Sequence, residues 1–111
     1  FLREAEHMSK LNHRCICKLY GIVDSNGNDM MMIIELLLLG SMLDYLGKYR
    51  TNIPKYRLRL WASQIADGMA YMERKGIVHR DLAARNILLD SVDQVKIADF
   101  GLSRCISTDV Y

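Results

Sequence analysis

The chain has 111 residues, 50% of them hydrophobic and 25% charged, with a formal net charge of +2. That balance suits a soluble globular protein with enough apolar surface for a core. Lysines and arginines are scattered among acids without a basic block, which excludes a nucleic-acid footprint. Cys15, Cys17 and Cys105 are odd in number and lack paired spacing, so no disulfide framework is expected and the pattern fits a reducing, cytoplasmic compartment.

Phe1, Ala5, Met8 and Leu11 recur at helical spacing with Arg3, Glu6 and Lys10 on other faces, which predicts one amphipathic helix ending at Leu11-Asn12-His13. Ile16 to Val23 then reads as a strand. Ser25-Asn26-Gly27-Asn28 turns the chain back through Met30 to Ile34, because Asn-Gly tolerates the positive φ angles of a tight hairpin turn. His13 reads as a turn or packing residue. The apolar run Met30 to Leu39 is too short for a bilayer and carries Glu35, so it is expected to be a buried strand leading into a linker.

Ser41-Met42-Leu43-Asp44 predicts a capped helix start, with Ser41 as N-cap and Asp44 as a short stand-in for the usual glutamate. From about Tyr56 to Lys75 a long helix is expected. Leu58, Trp61, Ile65, Met69 and Met72 form its core stripe, Arg59, Ser63 and Asp67 lie outside it, and Gly76 stops it. Ile77-Val78, Ile87-Leu88-Leu89 and Val95-Lys96-Ile97 read as short β-type runs, the last two joined by a polar turn from Asp90 to Gln94.

Between these runs lies His79-Arg80-Asp81-Leu82-Ala83-Ala84-Arg85-Asn86, and Asp99-Phe100-Gly101 begins thirteen positions after Asn86. A His-Arg-Asp triplet with Asn five residues beyond the Asp, followed by Asp-Phe-Gly, resembles the protein kinases. Ala83-Ala84-Arg85 in place of Lys-Pro-Glu resembles the tyrosine kinases among them. The resemblance runs over all 111 residues.

It implies an α+β, two-lobe kinase-like fold, present in part. Residues 1–34 would end the small lobe, 35–40 form the hinge, and 41–111 begin the helical large lobe with the catalytic loop and activation segment. Asp81 would be the base that meets the substrate hydroxyl, while Asn86 and Asp99 would hold Mg²⁺ or Mn²⁺ on the phosphates of ATP. Arg85 would reach the phosphate and the incoming phenol, since a long guanidinium suits a hydroxyl at the end of a rigid side chain. The Glu35 carbonyl and Leu37 amide would read the adenine edge, Leu88 would support the ring from below, and Ile34 would stand as gatekeeper. Glu4 would pair with a strand lysine, and Met8, Leu19, His79 and Phe100 would stack between the lobes. Tyr111 would be the activation-loop tyrosine, with Arg80 and Arg104 as partners for its phosphate.

The chain is therefore expected to be a segment of a protein tyrosine kinase acting on protein tyrosines, inactive alone because the glycine-rich loop and strand lysine fall outside it. Phosphorylation between paired parent molecules is consistent with this reading. A receptor parent would place the chain on the cytoplasmic side of a membrane. The alternatives are a pseudokinase scaffold and a regulatory interaction module. Against the pseudokinase, Asp81, Asn86 and Asp99 are all present.

Overall fold

The computed structural model describes residues 2–25 and 29–98; the side chains of residues 2–5, 24, 25, 29 and 30 lie outside the description. In chain order the elements are α1 (Leu2–Ser9), β1 (Leu19–Ser25), β2 (Asp29–Ile34), α2 (Met42–Tyr49), α3 (Lys55–Arg74), a single 3-10 turn (Ala84–Asn86), β3 (Ile87–Ser91) and β4 (Gln94–Ile97). The strands form two antiparallel pairs, β1 with β2 and β3 with β4. Helices alternating with small antiparallel sheets make an α+β architecture, as expected.

The second pair shows the two-residue period of a half-buried sheet. Ile87 and Leu89 on β3 and Val95 and Ile97 on β4 are buried, while Leu88 and Lys96 between them are only partly covered. Trp61 and Met72 of α3 close over that apolar face. Gly68 of the same helix permits close approach: a Cβ there would lie 2.9 Å from Ile97 Cδ1 and 3.1 Å from the Cys15 carbonyl.

Both predicted helix signals hold. Ser41 caps α2, its hydroxyl accepting the Asp44 amide at 3.1 Å. At the end of α3 the Gly76 and Ile77 amides return to the carbonyls of Glu73 and Met72, with Gly76 at φ +73°. Those paired bonds help satisfy the carbonyls at the helix end. They also correct the expected Ile77-Val78 strand, since the Ile77 amide is committed to the helix end and Val78 is exposed.

Three further expectations are revised. The strand does not begin at Ile16: Cys15 and Cys17 pair in parallel with β4, the Ile97 amide donating to the Cys15 carbonyl and the Cys17 amide to the Ile97 carbonyl, both at 2.8 Å. The run from Met30 to Leu39 is not a buried strand. Among the described residues, β1 and β2 form a sheet of two strands whose Ile22 and Met32 turn inward, leaving Met31, Ile33 and Ile34 exposed, and Leu36 and Leu38 follow at more than 80% exposure. Leu58 is exposed rather than core, because it sits in the first turn of α3 on the flank of Ile65 and Met69, which are themselves only partly buried.

Met8, Leu11 and Leu19 join the same core. Lys18 ties the end of α1 to it, donating from Nζ to the carbonyls of Ser9 at 2.8 Å and Leu11 at 3.1 Å. His13 is a turn residue, its Nδ1 accepting the Cys15 amide at 3.0 Å. Among the described residues no helix is long and apolar enough to cross a membrane. The Asn26-Gly27-Asn28 turn, Asp99-Phe100-Gly101, Arg104, Cys105 and Tyr111 lie outside the described residues.

Candidate functional site

The end of α3 delivers the chain to His79, which is 1% exposed. Its Nε2 is 2.6 Å from the Ala98 carbonyl and its Nδ1 accepts the Asp81 amide at 3.0 Å. Because a carbonyl can only accept, the proton sits on Nε2 and the ring is neutral in this arrangement. Arg80 then takes φ +75°, a left-handed conformation rare for a residue with a Cβ. The chain thereby turns sharply between the buried His79 and Asp81.

Asp81, Arg85 and Asn86 meet. Arg85 Nη2 donates to Asp81 Oδ1 at 2.6 Å, and Asn86 Nδ2 donates to the Asp81 carbonyl at 2.7 Å and to Oδ2 at 3.1 Å. The 3-10 turn makes this spacing work: the Asn86 amide closes on the Ala83 carbonyl at 2.9 Å, folding residues 81 and 86 together. Asn86 is 4% exposed, whereas the Arg85 side chain is mostly in solvent, so one partner of Asp81 is fixed and the other is able to move.

One oxygen of the type a hard divalent cation accepts is left over in this cluster. Both contacts of the Asn86 amide nitrogen are to acceptor oxygens of Asp81, which assigns the nitrogen to that side and leaves Oδ1 as a neutral oxygen donor. Ala98 is anchored next to this group, its amide donating to the Asn86 carbonyl at 2.8 Å and its carbonyl accepting from His79. Asp99 follows directly in sequence but lies outside the described residues, as do Arg104, Tyr111 and the Glu4 side chain.

The 35–40 segment comes to the same hairpin. The Leu89 amide donates to the Gly40 carbonyl at 2.9 Å, and Ser41 bridges Leu88, which sets Leu88 beside the end of the 35–40 segment. Glu35 is held at three points. Its amide donates to the Lys18 carbonyl, its carboxylate accepts the Lys18 amide at 2.8 Å, and Lys96 Nζ reaches both carboxylate oxygens at 3.0 and 3.2 Å. The Glu35 carbonyl lies 3.9 Å from the Cys17 thiol, a weak contact that leaves acceptor capacity. Leu37 and Leu88 are half-buried, and Ile34 and Arg80 are exposed.

Lys96 and the two hydrogen bonds of His79 escaped the sequence reading. Lys96 alternates with two buried residues and looks like any outward strand lysine, and its partner is 61 positions away. The His79 signal was present in the motif but was read only as packing.

The model of the family described as protein tyrosine and serine/threonine kinase matches residues 1–111. The chain is 56% identical to tyrosine-protein kinase HTK16 of Hydra vulgaris over 97% of its own length and 14% of the relative's. To tyrosine-protein kinase Shark of Drosophila melanogaster the figures are 52%, 96% and 11%, and to the epidermal growth factor receptor of the same fly 46%, 98% and 8%. The chain thus spans a small part of the relatives it matches. It belongs to the protein tyrosine and serine/threonine kinase family, on its tyrosine kinase branch.

Proposed function

We propose that this chain carries the hinge and catalytic loop of an enzyme that transfers the γ-phosphoryl group of ATP to tyrosine side chains of proteins. The observation that supports it most is the cluster in which Asp81 is gripped by Asn86 from one side and by Arg85 from the other. Residues 1–34 serve as the end of the small lobe, 35–40 as the hinge and 41–111 as the start of the large lobe.

In this reading Asp81 takes the proton of the phenol as it attacks, and Arg85, exposed and able to swing from Asp81, orients the phenol and the moving phosphate. Asn86 Oδ1 and the Asp99 carboxylate hold Mg²⁺ or Mn²⁺, which when bound neutralises phosphate charge. The Glu35 carbonyl and Leu37 amide take the adenine edge, Leu88 lies under the ring and Ile34 limits the space behind it. Glu4 pairs with a strand lysine of the complete domain. Phosphorylated Tyr111, held by Arg80 and Arg104, orders the activation segment, and pairs of parent molecules carry out that phosphorylation. The 111 residues alone are inactive, and the parent works in the cytoplasm or, as a receptor, at the cytoplasmic side of a membrane.

The test is phosphoryl transfer from labelled ATP to a tyrosine peptide and to its phenylalanine counterpart, using a full catalytic domain that contains this chain. Transfer to the tyrosine peptide alone, lost in Asp81→Asn, is expected. Equal labelling by the Asp81→Asn protein would overturn the reading.

A further inference from the structure

One stripe of α3 faces the β3–β4 turn with polar groups that the phosphoryl-transfer reading does not use. Arg57, Trp61, Gln64 and Gly68 succeed one another at spacings of three and four, so they share a face of the helix. Trp61 Nε1 donates to the Val92 carbonyl at 2.9 Å, and Arg57 Nε donates to Asp93 Oδ1 at 3.3 Å. Gln64 makes two bonds: Nε2 donates to the Asp93 carbonyl at 2.8 Å, and Oε1 accepts the Val95 amide at 2.9 Å.

The pairing of Gln64 has the form of a strand. A residue on a parallel neighbour bonds the carbonyl of residue i−1 and the amide of residue i+1, which here are Asp93 and Val95 about Gln94. A single side-chain amide thus replaces one peptide unit along the outer edge of β4. Two residues on, the same edge is taken up by Cys15 and Cys17, which bond the amide and carbonyl of Ile97. The Val95 carbonyl between them accepts from Gln94 Nε2 at 2.9 Å. The edge is satisfied from Asp93 to Ile97, and Gln64 is the part of it that belongs to α3.

β4 leads into Ala98, whose amide bonds the Asn86 carbonyl, and Asn86 in turn holds Asp81. We propose that Gln64 is a positioning residue: by completing the edge of β4 it fixes the hairpin against α3 and so fixes where Asn86 presents its amide oxygen and where Asp81 stands. The inference rests on the reading of Asn86 and Asp99 as metal ligands. The bonds of Gln64 go to the main chain of Asp93 and Val95, and it acts through them. Without it the Val95 amide, on a residue with no exposed surface, loses its partner, so the hairpin must shift to find another.

The experiment uses a full catalytic domain containing this chain and two variants. Gln64→Leu removes both bonds, whereas Gln64→Glu keeps an acceptor for the buried Val95 amide, loses the bond to Asp93 and sets a carboxylate oxygen against the Asp93 carbonyl. Mn²⁺ affinity in the presence of ADP is read from the electron paramagnetic resonance of free Mn²⁺, and kcat and KM for a tyrosine peptide are measured well below the thermal midpoint. Outer-shell partners of metal ligands are worth roughly ten- to a hundredfold in affinity or activity. The expected result is Mn²⁺ affinity and kcat about tenfold lower in Gln64→Leu, with a smaller loss in Gln64→Glu and peptide KM unchanged. Asp99→Asn separates the two layers. If it leaves Mn²⁺ affinity unchanged, the assignment of the metal ligands fails. If it weakens Mn²⁺ while Gln64→Glu and any folded Gln64→Leu bind and turn over as wild type, with only the thermal midpoint lowered, the positioning role is overturned.

Discussion

His79 and Ala98, nineteen positions apart, are joined by a bond of 2.6 Å from the imidazole Nε2 to the carbonyl. The other ring nitrogen holds the Asp81 amide, so one buried side chain ties the start of the 81–86 loop to the residue before Asp99. His79→Phe keeps the bulk of the ring and deletes both bonds, leaving a buried carbonyl and an amide unpaired. Each costs about 1–3 kcal/mol, so a loss of roughly 2–6 kcal/mol is expected in urea unfolding of the full domain. A phenylalanine variant as stable as wild type would show that these bonds do not hold the loop.

Gly68 makes a second test of packing. Alanine is favoured over glycine within a helix by about 1 kcal/mol, so a substitution judged by propensity alone would stabilise α3. The added methyl would instead meet Ile97 Cδ1 and the Cys15 carbonyl, and the carbonyl is held in place by the Ile97 amide. Overpacking of this kind costs about 1–3 kcal/mol, and Gly68→Ala is expected to lower stability. Ile97→Val removes the nearer atom, so the double variant should recover part of the loss, and a double-mutant cycle measures that coupling. Strict additivity would place the two residues out of contact.

Arg80 at φ +75° carries backbone strain. Comparing Arg80→Gly with Arg80→Ala isolates the strain, because both remove the guanidinium and only glycine is at ease in the left-handed region. Glycine should be the more stable by about 1–2 kcal/mol. Thermal unfolding of the two variants decides it, and equal midpoints would mean that the loop relaxes around residue 80.

What could be read in advance was local. The Ser41 cap, the Gly76 stop, the core positions Trp61 and Met72, and the β-type runs at Ile87 and Val95 each depend on neighbours within a few residues, so their chemistry is written in adjacent letters. Asp81, Arg85 and Asn86 are also brought together locally, lying no more than five positions apart. What was missed depends on distant partners. Cys15 and Cys17 pair with Ile97, Gln64 with a turn about thirty positions on, and Lys96 with Glu35. A β-branched run such as Ile77-Val78 carries no sign that its amide will be spent on closing a helix, and the apolar residues of β2 carry none of how little of their sheet is covered.

The roles of Asp81 and Asp99 separate in a paired experiment. Both oxygens of Asp81 already accept hydrogen bonds, one from Arg85 and one from Asn86. An asparagine in its place has only one acceptor oxygen, so its NH₂ must face one of two donors. Asn86 is buried and cannot leave, whereas Arg85 is largely in solvent, so the amide oxygen should settle on Asn86 and release Arg85. In the proposed reading the Asn86 oxygen assigned to the metal then keeps its place, and the loss falls on the proposed base and on the orientation of the phenol. Asp81→Asn is thus expected to cut turnover by about 10²–10⁴-fold with little change in Mg·ATP affinity. Asp99→Asn should weaken Mg·ATP, because it withdraws a charged ligand from the cation. Nucleotide titration and single-turnover rates on the two variants measure both quantities; equal losses of ATP affinity with turnover retained would reverse the assignment of base and ligand.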